Sequence, residues 1–251
     1  ALHAGHLSLV RAARSRCDVV MASIFVNPTQ FGPHEDFGKY PRTLEADSAQ
    51  LVQENVDLLF APSTDEMYPP GATTFVEVAE LSDRLDGKSR PGHFRGVATI
   101  VNKLFHIVQP DFAFFGQKDA AQCAVIRRMV RDLRIPVEIV VCPIVRESDG
   151  LAMSSRNAYL SADERKQALV LHRALEAVLT AYQSGEREIS RLRNTAQAAF
   201  AQEPSVVVDY IEIVDADMLV QRAPLVTGGE LVAVAAKVGA TRLIDNIVLP
   251  K

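Results

Sequence analysis

Residues 19–26 (VVMASIFV), 57–61, 111–115 and 137–141 are short runs of strand character, and helical spacing fills the chain between them. Residues 43–55 and 118–133 read as helices, and 94–108 carries Phe94, Val97, Ile100, Val101, Leu104, Phe105 and Val108 at helical intervals. Strands joined by helices pair in parallel, and a parallel sheet needs helices on both faces. The segments leaving the carboxyl ends of such strands are where ligands bind. Beyond about residue 144 the order changes: helices at 162–183 and 188–201 precede strands at 210–214, 230–238 and 242–249. At 251 residues the chain exceeds one comfortable core. The expected fold is α/β: a Rossmann-like parallel sheet flanked by helices over residues 1–143, then a smaller C-terminal α+β domain over 144–251 that serves as a lid or base.

The strand-end segments are polar. Asn27-Pro28-Thr29-Gln30-Phe31-Gly32 follows the first run, Gly116-Gln117-Lys118-Asp119 the third, and Met153-Ser154-Ser155-Arg156-Asn157 lies beyond the fourth. Leu2-His3-Ala4-Gly5-His6 stands just before an amphipathic run over 7–17. A helix start there offers N–H groups and a positive dipole end to an anion, and the imidazoles add donors. Two nearby histidines also suit a metal-site fragment or a surface pair. Lys118 on a first helical turn opposes the dipole, which a phosphate would offset; a solvated lysine is the plainer reading. Ser154, Ser155 and Arg156 suit forked recognition of an anion, or simply a capping loop. Their joint occurrence after successive strands favours one anion site.

A net charge of −4 excludes a general attraction to nucleic acid or anionic lipid and points to small substrates. Cys17, Cys123 and Cys142 are scattered in apolar stretches and read as buried, reduced thiols. No apolar run reaches the ~18 residues of a membrane span and no secretory leader is evident, so a cytoplasmic location is expected.

Five segments carry a resemblance along essentially the whole chain: LHAGH at 2–6, FVNPTQF at 25–31, YPRT at 40–43, FGQKD at 115–119 and GLAMSSRN at 150–157. The chain resembles the pantothenate synthetases, ligases that condense pantoate with β-alanine at the expense of ATP. FVNPTQF with MSSRN is specific to that family, whereas the histidine motif alone marks a wider class of nucleotidyltransferases. An adenylyl- or cytidylyltransferase would leave Asn27 to Phe31 unexplained, and a non-catalytic ATP-binding remnant is the third reading. In FGQKD, Gln117 stands where many relatives carry Glu. Relatives also carry a first β-strand and a Pro-Thr-Met-Gly turn ahead of the histidines, which this sequence lacks; exposed strand edges and apolar surface are the expected result.

The resemblance implies the following roles. His3 and His6 lie against the ATP phosphates, His6 as a proton donor. Lys118, Ser154, Ser155 and Arg156 contact phosphates, and Leu2, Gly5, Gly116, Gln117, Asp119 and Met153 complete the nucleotide site. Gln30, Gln122 and Asn27 hold pantoate, with Gln30 also near β-alanine. Asp47 and Gln50 lie near Mg2+, and the protein is a homodimer joined through its first domain.

Overall fold

The structure is a computed structural model that describes residues 1–32, 37–38 and 42–251. Tyr40 and Pro41 of the YPRT motif lie outside the described residues. The chain divides into two compact units, 1–116 with 121–143, and 117–120 with 144–251.

In the first unit, α1 (Ala4–Arg14) begins directly after the extended His3, earlier than the expected start at residue 7. Strand β1 (Met21–Ser23) pairs in parallel with β2 (Leu58–Phe60), Met21 opposite Leu58. Helix α2 (Leu44–Gln53) connects them, and the one-turn α3 (Thr64–Met67) follows β2. The expected strand over 19–26 is shorter because its partner ends at Phe60. Pro62 there has no N–H to donate, and Ser63 already caps α3 by accepting from the Glu66 N–H. After the one-turn α4 (Asp86–Ser89), α5 (His93–Val108) buries Phe94, Val97, Ala98, Ile100, Val101 and Phe105. Strand β3 (Phe112–Gly116) pairs in parallel with β4 (Glu138–Cys142), and α6 (Ala120–Leu133) joins them. The helix expected over 118–133 thus begins at Ala120, after a 3-10 turn over Gln117–Asp119.

The four strands form two separate parallel pairs rather than one continuous sheet. A cavity of about 770 Å3 is lined by residues 19–24 on the β1 side and 110–115 on the β3 side. Leu9, Val10 and Ala13 of α1 and Leu104, Phe105 and Val108 of α5 complete its apolar wall. Among the described residues each inner strand therefore has a ladder partner on one side only.

In the second unit, β5 (Val206–Val214), β6 (Leu231–Val238) and β7 (Thr241–Val248) form an antiparallel sheet with β6 central. Strand β5 starts four residues before its expected position and carries a bulge between Val208 and Tyr210. Helices α7 (Ala162–Gln183) and α8 (Ile189–Phe200) cover one face. Leu171, Leu175, Val178 and Leu192 meet Ile213, Val232, Val234 and Ala236 in the core. Each Leu, Ile or Val among them contributes about 1.5–3 kcal/mol of burial. Ser161 and Glu164 form a reciprocal cap on α7, with bonds of 2.8 and 3.3 Å. Gly239 opens the β6–β7 hairpin at φ +56, and a Cβ there would sit 1.8 Å from Glu164 Oε1. The left-handed backbone at that turn favours glycine. Among the described residues no helix is long and apolar enough to cross a membrane. Cys123 and Cys142 are buried as expected, but Cys17 is partly exposed; none of the three is in a disulfide.

Candidate active site

Within the first unit, the histidine motif is the first turn of α1. His3 accepts the N–H groups of His6 at 2.8 Å and Leu7 at 3.1 Å through its carbonyl oxygen. The His3 N–H donates back to His6 Nδ1 at 3.3 Å, and the two rings stack with centroids 3.9 Å apart. With Nδ1 accepting, the neutral His6 ring carries its proton on Nε2. Gly5 lies inside this turn, its carbonyl accepting from the Ser8 hydroxyl at 2.8 Å. Leu2 is held by its N–H donating to Asp47 Oδ1 at 2.7 Å.

Asn27 is buried, and its side chain organises the 3-10 turn over Pro28–Gln30. Asn27 Oδ1 accepts from the Tyr68 hydroxyl at 2.8 Å, the Thr29 hydroxyl at 2.9 Å and the Thr29 N–H at 3.3 Å. Asn27 Nδ2 donates to the Gly96 carbonyl at 3.1 Å and to Gln30 Oε1 at 3.3 Å. The Gln30 carbonyl lies 2.8 Å from His93 Nδ1 and accepts from Arg90 at 3.4 Å. A Cβ at Gly96 would lie 2.3 Å from the Thr29 carbonyl oxygen, so α5 meets this turn backbone to backbone. Burial raises the Tyr68 phenol above its ordinary value, against the opposing effect of its hydrogen bonds with Thr29 and Asn27, which keeps it a neutral donor. Gln122 is half-buried on the first turn of α6, and Gly116 closes β3, accepting from the Cys123 thiol at 3.4 Å.

Within the second unit, Gln117, Lys118 and Asp119 form the 3-10 turn ahead of α6. Lys118 Nζ is 3.4 Å from Asp119 Oδ1, a loose pair. Residues 145–153 form a hairpin: the Glu147 N–H donates to the Leu151 carbonyl at 2.8 Å and the Met153 N–H to the Val145 carbonyl at 3.0 Å. Its end is clamped by Arg165, which donates to Glu147 Oε2 and Asp149 Oδ2, each at 2.7 Å. Asn157 ties the following segment back, donating to Glu147 Oε1 at 2.8 Å and the Ala152 carbonyl at 3.1 Å. Ser154 caps the 3-10 turn Ser155–Tyr159 by accepting from the Arg156 N–H at 3.2 Å. The capping role considered for this cluster therefore holds for Ser154, and it aims Ser155 and Arg156 from a fixed turn.

Asp47 and Gln50, the pair expected near a metal ion, lie on α2. The Asp47 side chain is 3% exposed, and its oxygens accept from Leu2 N–H and, at 3.2 Å, the Thr43 hydroxyl. Among the described residues no cluster of three or more His, Cys, Asp or Glu could hold one.

The pantoate-beta-alanine ligase family model matches residues 1–248. The chain belongs to the pantoate–β-alanine ligase family. A pantothenate synthetase from Acidobacterium capsulatum is 66% identical over 249 residues, covering 99% of this chain and 83% of that protein. A crystal structure of the Thermus thermophilus pantothenate synthetase superposes with a TM-score of 0.96 at 48% identity, covering 100% of this chain and 90% of that one. A pantoate–β-alanine ligase from Francisella tularensis, solved in complex with beta-gamma ATP and beta-alanine, gives 0.79 at 35% identity, over 98% and 85% of the two chains.

For a pantoate–β-alanine ligase, the sequence motifs omit the residues that brace these candidate segments. Tyr68, His93 and Gly96 brace the Asn27–Gln30 turn, and Glu147 and Arg165 brace the segment leading to Ser154. Arg90-Pro91-Gly92-His93-Phe94-Arg95-Gly96 is the one local clue, a glycine- and base-rich run at the start of α5. Glu147 and Arg165 have none, because charged residues at such spacing are usually solvated.

Proposed function

We propose a course for the ATP-dependent condensation of pantoate with β-alanine that this ligase performs. In this course pantoate's carboxylate, ionised at neutral pH with a reference pKa near ~4, attacks the α-phosphorus of ATP to give pantoyl-adenylate and pyrophosphate. The neutral amine of β-alanine then attacks the acyl carbon of this mixed anhydride, and AMP departs. Asn27, Gln30 and Gln122 hold pantoate. Gly116 to Asp119 and Met153 to Arg156 hold the nucleotide, with Lys118, Ser155 and Arg156 on its phosphates. His3 and His6 donate to oxygens that gain negative charge in the transition state. Magnesium, if bound, would offset the charge of the polyphosphate, with Asp47 and Gln50 the residues nearest it in this reading. In this reading the acyl-adenylate must be shielded from water, because an activated acyl group hydrolyses. Homodimer formation through the first unit and a cytoplasmic location complete it, the first supported by the family resemblance and the second by ATP as substrate and three cysteines outside any disulfide.

The observation that carries the residue assignment is His6: its Nδ1 faces the His3 N–H, so Nε2–H stands as a donor at the positive end of an 11-residue helix. Pantoate-dependent exchange of labelled pyrophosphate into ATP tests the first step. His6→Ala is expected to slow exchange by about 10²–10³-fold with the fold intact. Exchange that ignores pantoate would remove the adenylate, and an unimpaired variant would remove His6.

A further inference from the structure

Asp245 and Asn246 are consecutive residues of β7, so their side chains leave opposite faces of the sheet. Both are 3% exposed. On one face, Asp245 accepts a forked pair of bonds from Arg146, 2.6 Å to Oδ2 and 3.0 Å to Oδ1. Arg146 also donates to the Gly150 carbonyl at 3.1 Å, so this pair grips the 145–153 hairpin that leads into Ser154 to Arg156. On the other face, Asn246 Nδ2 donates to the carbonyls of Gln117 and Lys118, each at 3.0 Å. Asn246 Oδ1 accepts from Gln117 Nε2 at 3.0 Å. Both amide protons and the amide oxygen of Asn246 are thus engaged with one turn.

We infer that Asp245 and Asn246 are positioning residues for adenylation, setting together the turn that carries Lys118 and the hairpin that delivers Ser155 and Arg156. The inference rests on the reading that Lys118 and the Ser154 to Arg156 segment meet the ATP phosphates. Two segments far apart in sequence must place cations against one polyphosphate, and a strand is stiff enough to fix both from neighbouring residues. A buried amide whose partners are all main-chain or side-chain groups of one turn holds that turn's carbonyls in a single orientation. Loss of either anchor would let the cation on that arm drift, and a displacement of about 1 Å costs on the order of 10²-fold in rate.

Steady-state kinetics of the full chain test this. Asn246→Asp keeps the size and the acceptor for Gln117 but turns a carboxylate toward two carbonyl oxygens. Asn246→Ala removes all three bonds. Both are expected to lower kcat/KM for ATP by about 30- to 100-fold, with KM for β-alanine changed less than about twofold. Asp245→Asn, which weakens the grip on Arg146, is expected to act on the same parameter. Ile213→Val, a packing change in β5, serves as the stability control and should lower Tm without touching ATP kinetics. Asn246→Ala combined with Lys118→Ala should cost less than the product of the two single effects, because one acts through the other. An Asn246 variant that lowers Tm like the control while leaving ATP kinetics within about twofold overturns the inference, as do multiplicative effects with Lys118→Ala. A silent Lys118→Ala overturns the phosphate reading itself and the inference with it; an impaired Lys118→Ala beside a silent Asn246→Ala overturns the inference alone.

Discussion

Asn27 shows how one side chain can shape a turn. It is 2% exposed, and its oxygen and nitrogen reach Tyr68, Thr29, Gly96 and Gln30. A buried carboxamide without those partners would cost about 1–3 kcal/mol, so the surrounding groups are held as firmly as Asn27 itself. Tyr68→Phe deletes one donor and leaves Asn27 Oδ1 its two bonds from Thr29. The expected loss is about 0.5–1.5 kcal/mol of stability and a rise of roughly three- to tenfold in KM for pantoate. Urea melts with pantoate titrations check both, and an unchanged KM would separate the Asn27–Gln30 turn from pantoate. At this scale the sequence was partly legible. Asn27 and Gln30 stood in a recognisable motif, but Tyr68 is 41 residues from Asn27 and no local pattern links them.

The hairpin over 145–153 depends on charges that the strand and helix patterns do not mark. Burial opposes ionisation of Asp149, but the Leu151 N–H and then Arg165 outweigh it, and the carboxyl titrates below its ordinary value. Arg165 rises in turn, chiefly through its bond to Glu147. Because the folded value of Asp149 is the lower one, its ionised form stabilises the fold above the unfolded-state value near ~3.9, and that contribution is lost as pH falls through the folded value. Asp149→Asn should therefore lower Tm at about pH 6, and the gap to the parent should close below about pH 4. Thermal melts across that range check it; a gap that persists undiminished in acid would mean Asp149 acts through packing. Other elements were plain in the sequence. The Ser161–Glu164 cap announces α7, and the apolar stripe of α5 announces its buried face. Strand β1 was misjudged in length because VVMASIFV is strand-like throughout, while the extent of a ladder is set by its partner.

Taken as a molecule, the chain consists of two units with different internal logic, parallel pairs under helices and an antiparallel sheet covered on one face. In the first unit, the cavity of about 770 Å3 between the two pairs is apolar on most of its wall. Anilinonaphthalene sulfonate is expected to bind this chain saturably, with fluorescence lost in one cooperative unfolding step. No enhancement in the folded state would show that the cavity is closed in solution. Sedimentation velocity checks the homodimer: a concentration-dependent shift toward twice the chain mass is expected, and a monomer at every concentration would remove it.

From the sequence alone came the alternation of strand and helix, the change of pattern near residue 144, and the chemistry-bearing segments at strand ends. Those are local properties, written in backbone periods of two and 3.6 residues and in short motifs. Only the tertiary structure decided that Asp47 accepts the Leu2 N–H, that the parallel strands form two pairs, and that Asn246 holds the Lys118 turn. Gln117 and Asn246 are 129 residues apart, and a hydrogen bond across that distance leaves no periodic trace in the chain. Such pairings follow from burial, which forces each enclosed polar atom to find whichever partner the packed chain brings within reach.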